Sequence, residues 1–140
     1  MFVDLQVNYL AVFLAAIAAM TIGFLWYSPF LFGKVWIGLA GMSEQTLKEA
    51  KKKGMTKTCA AAFVNNLLMG FVLATILYLT AVPTPLDAVL ITLIVWAGFV
   101  MTVLLGGVLW EGKPFKLYLI NAGYYLVGMM VMSLIIFFVI

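Results

Sequence analysis

No histidine and no arginine occur in this chain of 140 residues, and Cys59 is its only cysteine. The first absence removes the commonest acid/base and transition-metal side chain, and a lone cysteine excludes an intrachain disulfide. Charge is scarce as well, with 9% of residues charged against 66% apolar. So little polar surface cannot cover such a core, which rules out a water-soluble domain. A reaction centre would have to be built from Glu111, lysines and tyrosines, whose arrangement fits no reaction template. The chain therefore reads as a non-enzyme, with no catalytic residue, metal site or cofactor.

What is present is long apolar sequence. Leu5 to Gly33, Thr58 to Leu86, Ala88 to Trp110 and Leu117 to Ile140 each lack Asp, Glu, Lys and Arg. At ~1.5 Å of rise per helical residue, each stretch can cross a hydrocarbon core of ~30 Å. The predicted fold is an all-α membrane protein, one domain of four transmembrane helices in an up-down bundle of two hairpins. The expected spans are 6–27, 59–81, 86–109 and 117–139, with an interfacial and cytoplasmic helical segment in the loop 28–57. Because Asp4 and no basic residue precedes the first apolar run, that run reads as a retained span rather than a cleaved signal.

Charge placement gives an orientation. The net charge of +3 comes from lysines alone: Lys34, Lys48, Lys51, Lys52, Lys53 and Lys57 follow the first span, and Lys113 and Lys116 separate the third from the fourth. Both loops fall on one side, which the positive-inside rule makes cytoplasmic, so both termini face outward across an inner (plasma) membrane. Lys51, Lys52, Lys53 and Lys57 are candidates for contact with anionic lipid, at ~1 kcal/mol per basic residue. Clustering beside membrane ends favours headgroups over nucleic acid, for which no role is expected.

Local signals refine the connections. Phe30 to Leu39 mixes large apolar residues with Lys34 and suits the headgroup layer. Ser43 caps a predicted short helix through Lys53, with Gly54 at its end. In the opposite connection, Thr84 is a predicted N-cap, with Pro85 at the first helical position and Asp87 at the third. Glu111-Gly112-Lys113-Pro114 predicts a tight charged turn at the membrane edge.

Small residues recur every fourth position: Ala11, Ala15, Ala19 and Gly23 in the first span, Ala62, Asn66, Gly70 and Ala74 in the second, Gly98, Thr102 and Gly106 in the third. Such stripes let helix backbones approach closely where lipid supplies no hydrophobic drive. They serve either the bundle or an interface between copies, and spacing does not separate the two. Polar residues gather toward the lysine-bearing end: Tyr27, Ser28, Asn65, Asn66, Glu111, Asn121 and Tyr124. Two readings stand, a polar cavity open to the cytoplasm and plain helix–helix hydrogen bonding. A weak echo of Leu25-Trp26, Pro29-Phe30 and Val64-Asn65 in Leu109-Trp110, Pro114-Phe115 and Ile120-Asn121 hints at a parallel repeat.

Two dense motifs carry a family resemblance. Trp26-Tyr27-Ser28-Pro29 with Phe32-Gly33-Lys34, Trp36 and Gly41-Met42-Ser43-Glu44 forms one. The other joins Trp96-Ala97-Gly98-Phe99 to Glu111-Gly112-Lys113-Pro114-Phe115-Lys116-Leu117 and Leu119-Ile120-Asn121-Ala122-Gly123-Tyr124. The chain resembles the domain-of-unknown-function family 1761 in both. The resemblance implies a small four-span membrane protein of bacterial or archaeal type and implies no activity. The expected roles are a structural or accessory protein, acting as a homo-oligomer or as a subunit among other membrane proteins, or alternatively a small transporter or channel for a neutral or lipophilic solute. Membrane lipids are the other expected partners.

Overall fold

A computed structural model describes residues 7–40, 45, 48, 49 and 55–139. The helices whose bounds lie among the described residues are, in chain order, α1 (Tyr9–Trp26), α2 (Gly33–Ala40), α3 (Met55–Leu79), α4 (Pro85–Glu111) and α5 (Phe115–Val139). Four of them, all but α2, are long and apolar enough to span a membrane, so the chain is an all-α, multi-pass membrane protein. No strand occurs among the described residues.

The helix ends follow from local chemistry. Asn8 caps α1 by accepting from the Leu10 and Ala11 N–H groups, and its Nδ2 donates to Val139 O at 3.1 Å. That bond joins the start of α1 to the end of α5 and fixes them antiparallel. Thr84 caps α4 by accepting from Asp87 N, with Pro85 in the first turn. The second span begins at Met55, four residues ahead of its expected start at 59. Lys57 is exposed on the first turn of α3. The expected helix from Ser43 to Lys53 lies mostly outside the described residues, as do Lys51, Lys52 and Lys53; Gln45, Lys48 and Glu49 are helical and exposed.

Packing centres on α5. The small stripe of α1 closes against its neighbours, with Ala11, Ala15 and Ala19 at 0%, 0% and 2% exposure. These residues join Leu73, Ala74 and Leu77 of α3, Ala88 of α4, and Met132 and Ile136 of α5 in one core. Removing bulk from the contact line lets the backbones draw together, so dispersion replaces the missing hydrophobic drive. Gly70 belongs to the same surface: a Cβ there would stand 3.2 Å from Met132 Cε. Buried hydroxyls are satisfied within their own helices, Thr92 on Ala88 O and Ser133 on Met130 O.

The bundle is lopsided. α1 and α4 lie against α5, and α3 packs on α1, but α3 and α4 touch sparsely. In the span window, 11% of α4 is buried, against 28% for α1 and for α3 and 33% for α5. The repeat hinted at by the sequence would match the contact of α1 with α5 by one of α4 with α3, and no comparable contact is made. Likewise Trp26 is half-buried while its sequence counterpart Trp110 is 89% exposed.

One irregularity interrupts α4. Trp96–Met101 forms a π-helical turn between two α-helical halves, Pro85–Val95 and Thr102–Glu111. It coincides with the motif Trp96-Ala97-Gly98-Phe99. Its wider turn shifts the register of the second half of α4 relative to the first.

Candidate functional site

The lysine-bearing end of the bundle is held by a latch made from the first dense motif. After Tyr27 the chain reverses tightly, with Phe32 N on Trp26 O at 3.0 Å and Gly33 N on Ser28 O at 2.8 Å. Gly33 is dictated by this reversal, because a Cβ would lie 2.4 Å from Tyr27 O and 2.7 Å from Ser28 O. The turn delivers Phe32 onto Trp26, ring centroids 4.8 Å apart, and the first turn of α2 brings Trp36 edge-on to Tyr27 at 5.6 Å. Phe30, 92% exposed, points away from the bundle, as befits a segment at the bilayer surface.

Both dense motifs meet on α5. The Trp26 indole donates to Ile120 O and the Trp96 indole to Ala122 O, each at 3.0 Å, on either side of Asn121. Asn121 Oδ1 itself accepts from the Tyr27 hydroxyl at 2.7 Å. Tyr124 donates to Ala19 O at 3.2 Å, and Tyr118 to Met101 O at 3.1 Å, where the π-helical turn ends. An indole or phenol in an apolar bundle needs an acceptor, and here helix carbonyls supply it. Each bond is worth ~0.6 kcal/mol in a membrane setting, so the set together fixes orientation more than it adds stability.

Members of the polar cluster are divided between two cavities. The larger, about 310 Å³, lies among α1, α3 and α5 and carries Tyr27, Asn65, Asn66, Tyr124 and Tyr125. The smaller, about 170 Å³, lies between α4 and α5 and carries Glu111, Lys113, Tyr118 and Asn121. The Tyr27–Asn121 hydrogen bond links a residue of the larger to a residue of the smaller. Ser28 lines neither, because its hydroxyl turns back to Leu25 O at 2.7 Å. Of the adjacent asparagines, Asn66 is 6% exposed and Asn65 is exposed.

Glu111 and Lys113 close the turn that leads into α5. Their ion pair spans 3.0 Å, with the Lys113 side chain 58% and the Glu111 side chain 62% exposed from the bundle. Gly112 ends α4 in the left-handed conformation, φ 67°, and Lys113 N returns to Gly107 O. The remaining packing residues divide by helix. Gly23 meets the Tyr124 hydroxyl, 3.1 Å from an ideal Cβ, whereas Gly98 and Gly106 have nothing within 4 Å of theirs.

Sequence reasoning assigned no contact to Tyr118 and none to Trp96 beyond its place in the second motif, and Cys59 lines the larger cavity. The available signal was the polar atom each aromatic carries into an apolar helix. The family described as "Protein of unknown function (DUF1761)" matches residues 10–137. The chain belongs to that family. No curated protein and no solved structure matches it. In this DUF1761 chain, Trp26, Tyr27, Phe32, Gly33 and Trp36 of the first motif and Trp96 and Asn121 of the second meet in the joint of α1, α2, α4 and α5, while residues 41–44 of the first motif lie outside the described residues.

Proposed function

We propose that this chain is a non-enzymatic accessory protein of the prokaryotic plasma membrane that acts as a homo-oligomer joined through α4. The outward face of α4 carries this reading. It is the least covered span, its Gly98, Thr102 and Gly106 lie exposed or half-exposed, and open space lies before both glycines. Beside that shallow stripe stand Ile94, Phe99 and Val103, exposed by 71%, 72% and 72%. A smooth track flanked by large side chains is the surface on which a second helix packs in lipid. Native mass spectrometry from lipid nanodiscs tests it: oligomers that dissociate on Gly106→Leu are expected. A monomer in every lipid overturns self-association, and a different membrane protein held by the same face replaces it with a subunit role.

Lys34, Lys57, Lys113 and Lys116 all flank the same helix ends, which supports a cytoplasmic placement of that end and contact with anionic headgroups there. A second reading, a carrier for a neutral or lipophilic solute, is favoured by the larger cavity. No charged side chain lines it among the described residues, and its walls combine amides, phenols and apolar groups. Solute flux in proteoliposomes is its test, and no flux across a broad panel of neutral solutes removes it.

A further inference from the structure

The larger cavity has a feature that helix packing leaves unused. Asn66 is 94% covered (6% exposed), yet its amide belongs to the cavity wall. It stands beside the Tyr124 hydroxyl, whose proton is already given to Ala19 O. The Tyr27 proton is likewise given to Asn121. Two phenol oxygens therefore remain as acceptors, while an amide brings two N–H donors and a carbonyl, more than one neighbouring hydroxyl can use. The cavity wall thus offers amide and phenol groups to the hydroxyls of a guest.

The surroundings define that guest. No charged side chain among the described residues lines the cavity, so its walls match a neutral head better than a phosphate or carboxylate. On its outer side the cavity runs into a groove of about 730 Å³ between α1 and α3, with which it shares Met20, Phe24 and Cys59. Ile17 and Phe63 extend that groove as an apolar wall, and the edge-on contact of Phe63 with Phe13, at 5.7 Å, bounds it. A polar seat for a neutral head thus opens sideways into a channel for a hydrocarbon tail. Met20, unbranched and adaptable, lies at the junction.

We propose that this composite site binds a neutral, hydroxyl-bearing single-chain amphiphile of the monoacylglycerol type, its head against Asn66 and its tail in the groove between α1 and α3. The proposal deepens the carrier reading by naming the ligand class, and it rests on the shape and chemistry of the site rather than on transport.

Cys59, the only cysteine and a residue of both walls, is a native reporter of occupancy. The full chain in nanodiscs is alkylated with a membrane-permeant maleimide, with monoolein or lysophosphatidylglycerol added as the probe. At ten times its dissociation constant an occupant leaves about a tenth of the sites open, so monoolein is expected to slow alkylation about tenfold. Lysophosphatidylglycerol, with the same tail length and a charged head, is expected to leave the rate nearly unchanged. In Asn66→Leu the half-protecting monoolein concentration rises about tenfold, the equivalent of one lost hydrogen bond of ~1.4 kcal/mol. Tyr125→Phe, on the same wall, provides the second variant should Asn66→Leu fail to fold. An unchanged rate with monoolein, equal protection by the anionic lipid, or equal protection of the folded Asn66→Leu overturns the site. Protection without flux keeps this site and removes the carrier; flux without protection does the reverse.

Discussion

Tyr27 donates its hydroxyl proton to Asn121 Oδ1 at 2.7 Å, and this bond ties the end of α1 to α5 and links a residue of one cavity to a residue of the other. On either side of Asn121 the carbonyls of Ile120 and Ala122 take the indoles of Trp26 and Trp96. The end of α1 and the middle of α4 thus converge on three consecutive residues of α5. A double-mutant cycle on Tyr27→Phe and Asn121→Leu, followed by steric-trap unfolding in bicelles, is expected to give a coupling of ~0.6 kcal/mol and no more than ~1.7 kcal/mol. A coupling indistinguishable from zero refutes the bond's contribution.

Gly33 predicts a sharper loss. Its ideal Cβ overlaps backbone atoms of Tyr27 and Ser28 rather than a flexible side chain, so the turn cannot yield without undocking α2. Gly33→Ala is expected to cost roughly 1–3 kcal/mol, the range for overpacking a closed site, and to detach Trp36 from Tyr27. Faster proteolysis within residues 28–40 at unchanged helix content checks it, and native resistance contradicts it.

Legibility in the sequence followed physical cause. Four spans were readable because a charge inside hydrocarbon is costly, so uninterrupted apolar length is itself the signal. The Thr84 cap was readable because Thr-Pro-x-Asp has a local meaning. Helix rotation was not readable. When nearly every position of α4 is apolar, a periodicity of 3.6 residues has no contrast, and the π-helical turn at Trp96–Met101 is equally invisible. The same lack of contrast hides which polar residues share a cavity. The adjacent Asn65 and Asn66 point about 100° apart on their helix, and only packing decides which one is buried. Asn8, a cap joined to the far end of the chain, carried only the weak signal of an asparagine ahead of an apolar run.

Folding and association separate on α4. Because nothing lies within 4 Å of an ideal Cβ at Gly106, Gly106→Leu is expected to change the folding free energy of the monomer by no more than ~0.5 kcal/mol. The same change fills the track proposed for a second copy, so the oligomer is expected to weaken. Chemical unfolding of diluted protein, together with single-molecule subunit counting in liposomes, reads the two effects independently. A large loss of monomer stability shows instead that Gly106 packs within the chain.

Two turns make opposite predictions from one conformational rule. Gly112 holds the left-handed conformation at the end of α4, φ 67°, where an L side chain meets its own carbonyl. Ala81, just beyond α3, adopts φ 49° without being glycine. The steric cost of that region is roughly 1–2 kcal/mol for an ordinary residue, and part of any relief on introducing glycine returns as unfolded-chain entropy. Gly112→Ala is therefore expected to destabilise by about 1 kcal/mol. The helix end would lose its Lys113–Gly107 return, and the ion pair of Glu111 and Lys113 would not offset it, since exposed pairs contribute ~0–1 kcal/mol. Ala81→Gly is expected to stabilise by about 0.5–1 kcal/mol. Equilibrium unfolding of both variants in mixed micelles measures the signs, and the same sign for both would show that backbone strain does not govern these turns.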